Sequence, residues 1–351
     1  MGRCLAMEKK IRIAILSITQ GVVNRGAEVF VKELVVAMDT KIEVEVIEGR
    51  RTLPKRWPIL WRVHIDWYGL QILWFTLRNL KILFKNKYDL VIPMNGGWQS
   101  FLVRVATLLY GGKMMIVGQS GIGWDDRFNL WTFPDCFVAI TSVGLDWAKK
   151  VNPKVFSVYI PNGVDLKKFS PRVKGVGLGL SHPLVVCVGA LVHEKRIDLV
   201  VRAVSTLSNV NLLVVGDGPE KAELTEMGKR LLGRRFEVVS ASHKQMPGLY
   251  RAADIFCLVP KKSESFGIVF IEAMASGLSV VTIDDKQRRE IVGQAGIFVE
   301  KPEDKTVLGN AINSALEKKW GDLPRKQAEK YAWEEIGRRY YQLITDILKN
   351  R

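Results

Sequence analysis

Apolar and polar positions fall into alternating blocks along this chain. Short runs rich in Val, Ile and Leu are followed by longer segments with apolar residues at helical spacing. In the first half the strand candidates are 11–18, 42–47, 90–94, 114–117 and 136–140. In the second half they are 184–188, 212–215, 236–239, 255–259, 280–283 and 297–299. Several are continuous apolar runs, as expected for parallel strands covered on both faces. Regular strand–helix alternation predicts an α/β chain of doubly wound parallel sheets.

The pattern pauses between 160 and 184, where Pro161, Asn162, Gly163 and Pro171 precede the glycine-rich stretch 175–179. A linker is expected there, near residue 170. The expected organisation is a Rossmann-like domain at 1–168, a second at 169–332, and a C-terminal helix at 333–351 returning to the first. A length of 351 residues, more than one core usually holds, agrees with two domains.

A hydrophobic content of 48% and a charged content of 25% describe a globular chain rather than a disordered one. No apolar run reaches bilayer-spanning length and no signal pattern is present. Residues 1–7 are expected to form a loose leader, with Met7 an alternative start. Cys4, Cys136, Cys187 and Cys257 include no C-x-x-C pair, so reduced thiols and a cytoplasmic setting are expected. The net charge of +16 calls for anionic partners, such as nucleotide phosphates or a membrane surface; ordinary solubility charge is the alternative.

The densest chemistry lies in Ser263-Glu264-Ser265-Phe266-Gly267-Ile268, followed by Glu272. Glu264 and Glu272 have seven residues between them. The first falls in a loop after a strand, the second about a turn and a half inside a helix closed by Gly277. A helix start offers free N–H groups and the positive end of its dipole to a phosphate. Carboxylates beside it accept hydrogen bonds from sugar hydroxyls.

Other strand-to-helix loops are weaker signals. Gly189 leads to Lys195 and Arg196, cations for a phosphate or plain surface residues. Gly216-Asp217-Gly218-Pro219 reads best as a structural turn. The loop 21–28 contains Gly26, which allows close backbone approach to a ligand, but it is not G-x-G-x-x-G, which weakens a nicotinamide reading. Asn162-Gly163 is a turn former.

Together, Met246-Pro247-Gly248-Leu249-Tyr250-Arg251-Ala252-Ala253-Asp254, the segment from Ser263 to Gly267, and Glu272-Ala273-Met274-Ala275-Ser276-Gly277 closely resemble the retaining glycosyltransferases of family 4. The resemblance extends to Pro161-Asn162-Gly163-Val164-Asp165, to Gly189 with Lys195, to Gly216-Asp217-Gly218-Pro219 and to Gly26-Ala27-Glu28. It implies the GT-B fold, two Rossmann-like domains facing a cleft, with acceptor-side chemistry in the first and nucleotide-sugar donor binding in the second. Glu264 would hold the donor sugar hydroxyls and Lys195 would neutralise the leaving diphosphate. Backbone around Ser265, Phe266, Gly267 and Ile268 would bind the diphosphate, and Glu272 the ribose. Gly26 would lie under the donor phosphates, with Gly189 and Arg196 also on the donor side. Gln119, Ser120 and Asn162 would face the sugar or acceptor.

Two positions depart from the pattern. Ala190 stands where such enzymes usually carry an arginine, and Ser120 where many carry a histidine. The implied activity is hexosyl transfer from a nucleotide-diphosphate sugar to a hydroxyl acceptor. No metal or other cofactor is required, since no Asp-x-Asp falls in a plausible donor site. A GT-B epimerase or phosphorylase, or a non-catalytic sugar-nucleotide-binding protein, are the alternatives.

Residues 51–87 carry eight lysines and arginines against one acid, Asp66, interleaved with Trp57, Trp61, Trp67, Tyr68, Trp74, Phe75 and Phe84. Aromatic bodies with basic heads suit an anionic lipid interface and a lipid-linked acceptor, placing the protein peripherally on the inner face of a membrane. An ordinary helix packed on the first domain is the equal alternative. The spacing matches no nucleic-acid module, and no nucleic-acid partner is expected.

Overall fold

The computed structural model describes residues 10–22, 26–38 and 42–349. The expected leader at 1–7, Cys4, and Val23, Asn24 and Arg25 of the first glycine loop lie outside the described residues. The chain divides into two compact units, Met1–Pro161 with Ile336–Arg351, and Asn162–Glu335.

The first unit holds a six-stranded parallel sheet: β1 (Ile11–Ser17), β2 (Ile42–Glu48), β3 (Leu90–Pro93), β4 (Lys113–Val117), β5 (Cys136–Ala139) and β6 (Ser157–Tyr159). Its spatial order is β2-β1-β3-β4-β5-β6. The second unit repeats the plan with β7 (Leu184–Val188), β8 (Asn211–Val215), β9 (Phe236–Val239), β10 (Ile255–Cys257), β11 (Ser279–Ile283) and β12 (Gly296–Val299), ordered β12-β11-β10-β7-β8-β9. Every residue of β7, β8, β10 and β11 is buried, which is why these strands read as continuous apolar runs. In each sheet the strand order reverses once, between β1 and β3 and between β7 and β10. The carboxyl edge at such a reversal is where open α/β sheets place ligands.

The strand β6 was not among the expected elements. It is three residues long and begins with a serine, too short for a period-2 signal. The division between units falls after Pro161, ahead of the expected boundary at 168/169. The reason lies in the hydrogen bonds of the segment that follows. The Val164 N–H donates to the Tyr331 carbonyl at 2.7 Å, and the Arg325 guanidinium donates to the carbonyls of Leu166 (2.9 Å) and Phe169 (2.6 Å). The last helix, Trp333–Lys349, belongs to the first unit from Ile336 onward. Tyr340 is fully buried there with its ring edge on Phe30 at 5.8 Å, and the Arg339 guanidinium donates to the Tyr159 carbonyl.

The Asp126 carboxyl of the first unit is buried, 2% exposed. Asp126 sits under the loop that leaves β4, where it accepts from Asn129 Nδ2 at 3.1 Å and from the Gly121 N–H. Burial pushes it from the ordinary 3.8 up to about 7, opposed by those two hydrogen bonds. A folded-state value above the unfolded one means that its contribution is fully present below about pH 4 and is lost as pH rises through 7. Over that window it should tilt stability by up to about 1.4 kcal/mol per pH unit. Denaturation midpoints followed across the window should fall more steeply for the wild type than for Asp126→Asn; parallel curves would refute this account.

Candidate functional site

The second unit brings its chemistry together at the carboxyl edge of β7 and β10. After β7 the chain passes Gly189, makes a 3-10 turn at His193–Lys195 and enters the helix Ile197–Val204. After β10 it runs through Pro260 and a loop to the helix Ile268–Ala275. The Lys261 N–H donates to the Glu194 carbonyl at 2.8 Å, tying the two loops. Across that tie Lys195 Nζ pairs directly with the Glu264 carboxylate. Their side chains are 18% and 16% exposed, so the pair is partly shielded yet reachable.

The backbone of Glu264 is clamped from behind. Its carbonyl accepts from Gln287 Nε2 at 3.1 Å and from both terminal nitrogens of Arg288 at 3.3 Å. Gln287 also donates to the Ser265 carbonyl. Arg288 is completely buried, and desolvation lowers its pKa against the raising effect of Asp285 and Glu264. Asp285 caps the helix Lys286–Val292 by accepting from the Arg288 N–H at 2.7 Å.

Phe266 is buried, with its ring edge on Tyr331 at 6.0 Å, and it anchors the loop just before the turn. Gly267 then turns the chain at φ +80°, and a Cβ there would meet the Phe270 ring at 2.7 Å. The first helical donor is the Phe270 N–H, bonded to the Gly267 carbonyl at 3.0 Å. The amides of Gly267, Ile268 and Val269 thus form the open positive end of this helix.

Inside the helix, Glu272 is 5% exposed. One carboxylate oxygen meets His243 Nε2 at 2.8 Å and the other accepts from the Tyr250 hydroxyl at 3.0 Å. Burial, and then the Glu272 charge, raise the Tyr250 pKa well above its ordinary 10, so the phenol stays a donor. Lys168 Nζ lies 2.9 Å from the other ring nitrogen of His243.

The structure therefore gathers Lys195, Glu264, Ser265, Phe266, Gly267 and Ile268 at one edge, with Glu272 further along the same helix. Gly189 lies against the Lys195 side chain, 3.6 Å from its Cδ to a Cβ built there. Gly216 packs on Gly189 so closely that a Cβ would sit 1.9 Å from the Gly189 carbonyl oxygen, which makes it a packing glycine. The Arg196 side chain, expected on the donor side, is engaged by protein groups. Its guanidinium donates to the carbonyls of Val259 (2.8 Å) and Pro260 (3.1 Å) and pairs with Glu303, so it staples the end of β10. Ala190 is exposed and supplies no cation.

Asn162 is buried in the turn that opens the second unit, beside Gly163, whose Cα packs on the Trp333 indole. Gly26, Gln119 and Ser120 belong to the first unit. Gly26 begins the helix Gly26–Met38, and Gln119 and Ser120 follow β4, with Ser120 exposed. Gln287, Arg288, His243 and Lys168 are missing from the sequence reading. They reach the site from 23 to 29 residues away, or through a further residue, at no motif spacing. Among the described residues no group of three His, Cys, Asp or Glu side chains could hold a metal ion. Cys136 and Cys187 are free and buried, and burial pushes both thiols up to about 12.

In the first unit the basic, aromatic stretch becomes a surface with two characters. The helix Trp67–Asn86 buries Ile72, Phe75 and Leu83, and exposes Trp67, Leu70, Trp74, Leu77 and Phe84. The neighbouring helix Trp98–Tyr110 exposes Phe101, Val105, Leu108 and Leu109, the last 71% open. The Arg78 guanidinium lies over Trp74 at 5.1 Å. Arg56 stacks on Tyr68 at 4.4 Å and makes a two-point ion pair with Asp125 at 2.9 and 2.8 Å, which fastens this surface to the unit. Among the described residues no helix is long and apolar enough to cross a membrane.

Residues 174–334 match the family described as Glycosyl transferases group 1. The match falls within the second unit. Its matched segment contains Lys195, His243, Glu264 and Glu272; Lys168 lies just ahead of it. Among curated proteins the chain is 33% identical over 173 residues to the putative teichuronic acid biosynthesis glycosyltransferase TuaC of Bacillus subtilis, covering 47% of this chain and 42% of that one. It is 30% identical over 155 residues to a phosphatidyl-myo-inositol mannosyltransferase of Mycobacterium tuberculosis, covering 41% and 39%. The matched segment thus spans about two fifths of each of these relatives. Among solved structures, HepE of Anabaena in complex with UDP and glucose aligns over 96% of this chain and 100% of its own, at 17% identity and a TM-score of 0.74. That likeness shows the GT-B fold over the part of the chain it covers.

Proposed function

We propose that this protein is a retaining glycosyltransferase that moves a hexose from a nucleotide-diphosphate sugar to a hydroxyl acceptor. The observation that carries the reading is the Lys195–Glu264 pair set against the open start of the helix Ile268–Ala275, with Glu272 inside it. Negative charge grows on the diphosphate as the sugar leaves. An ammonium and fixed N–H dipoles stabilise that charge without reorganising. Glu264 accepts from the sugar hydroxyls and holds the anomeric carbon in place, supplying the orientational part of catalysis. Glu272 anchors the ribose. No metal is needed, because Lys195 and the helix start supply the positive charge. The group 1 family match favours transfer over the epimerase, phosphorylase and non-catalytic readings.

The acceptor proposed is lipid-linked, received beside an anionic membrane. The aromatic and basic surface on the helices Trp67–Asn86 and Trp98–Tyr110 supports this, as does the likeness to a phosphatidyl-myo-inositol mannosyltransferase. In this reading the protein is cytoplasmic and peripheral.

Thermal melting with UDP-, GDP- and ADP-sugars tests the donor reading. Ligand at a hundredfold excess over Kd adds about 2.7 kcal/mol, a rise of several degrees. UDP-sugars come first, since HepE was crystallised with UDP and glucose. Absence of any rise with all three would sink it. Glu264→Ala should lower transfer at least about a hundredfold. It should keep nucleoside-diphosphate affinity, because the substitution frees Lys195. A variant that stays fully active means that the site is misassigned. For the acceptor, anionic vesicles should float the protein at low salt, and Trp74→Glu with Leu109→Glu should leave it in the pellet fraction; no flotation of the wild type removes the membrane from the proposal.

A further inference from the structure

Glu272 is held by an array of which the family-like segments contained only Tyr250. Phe169, itself buried, lays its ring against the His243 imidazole at 5.5 Å and the Tyr250 ring at 6.0 Å, so both donors to the carboxylate are braced by one side chain. Lys168, the residue before it, reaches His243 Nδ1 at 2.9 Å. An ammonium has only donors, so the nitrogen it meets must present a lone pair. The proton of a neutral imidazole then resides on Nε2, which points at Glu272 from 2.8 Å. Lys168 thereby selects the tautomer, and His243 donates a hydrogen bond to the carboxylate.

We infer that His243 is a positioning residue for nucleotide recognition, acting through Glu272 on the 2′ and 3′ hydroxyls of the donor's ribose. This rests on the proposed role of Glu272. A carboxylate has about four lone-pair positions. The Tyr250 hydroxyl and the His243 N–H occupy one on each oxygen, which fixes the plane of the group and leaves one position per oxygen for a vicinal diol. With His243 removed, a single hydrogen bond from Tyr250 lets the carboxylate rotate, and the two free lone pairs no longer face the diol together. The Lys168 ammonium keeps the array from gathering uncompensated negative charge around the buried carboxylate.

The test is titration calorimetry with UDP, GDP and ADP, each beside its 2′,3′-dideoxy counterpart, on the full chain. Losing one charge-assisted hydrogen bond should weaken binding of the preferred nucleotide to His243→Ala about tenfold. His243→Gln, whose amide donates from a similar reach, should recover most of the loss. Toward the dideoxy nucleotide, His243→Ala and wild type should bind equally, because the hydroxyls that report the orientation of Glu272 are gone. A general packing defect would weaken both ligands alike, and that result overturns the inference, as does undiminished binding of the natural nucleotide by His243→Ala. If the wild type binds none of the three nucleotides, the donor reading itself fails and takes this inference with it. Melting temperatures of the variants, measured alongside, identify any that fail to fold.

Discussion

Everything at the candidate site depends on one partly shielded ion pair, Lys195 with Glu264. The two residues come from the loops after β7 and β10, strands that are adjacent in the sheet but far apart in sequence. Parallel strands on either side of a chain reversal splay their following loops apart and leave a crevice. Opposite charges at its lips keep each other ordered there while remaining partly accessible. A largely buried ion pair is weak evidence of stabilisation, because desolvation offsets its Coulomb energy. In the proposed function its importance lies in presenting a cation and a hydrogen-bond acceptor side by side, both partly desolvated.

That presentation is secured by groups that never touch the reacting atoms. Arg288 and Gln287 hold the Glu264 carbonyl, so the backbone under the carboxylate cannot drift. Burying a guanidinium is unfavourable unless its donors are used, and here carbonyl acceptors and Asp285 offset part of that. Arg196 performs a comparable service at the end of β10. Its side chain replaces a loop hydrogen-bond network with three contacts from one fork. Glu272 is held by His243 and Tyr250 in the same manner. The candidate site is thus a set of partly shielded or buried polar groups, each held in place by a second side chain.

The exposed apolar ridge of the first unit obeys a different constraint. The helix Trp67–Asn86 must bury one face to fold, and Ile72, Phe75 and Leu83 suffice for that. Its opposite face, continued by Phe101, Leu108 and Leu109 of the next helix, is apolar beyond what the core requires. The two readings of the stretch 51–87, core helix and lipid contact, are therefore compatible, because they describe opposite sides of one element.

Most strands were legible because buried parallel strands impose runs of Val, Ile and Leu, and their order along the chain imposes the α/β class. Glu264, Gly267 and Glu272 were legible because a loop, a left-handed glycine and a helix start occupy consecutive positions. The three-residue β6 was not, since it carries too few positions to express a period. Nor was the boundary between the units, which hydrogen bonds from Arg325 to the segment after Pro161, and from that segment to the Tyr331 carbonyl, move ahead of the glycine-rich stretch where composition changes. Sequence by itself determined which residues carry donors, acceptors and charge, because these are properties of the side chain. Only the tertiary structure decided how they are used. It paired Lys195 with Glu264, turned Arg196 to the ends of a strand and set His243 and Lys168 behind Glu272, because partners drawn from separate strand-to-helix loops meet only when the sheet has formed.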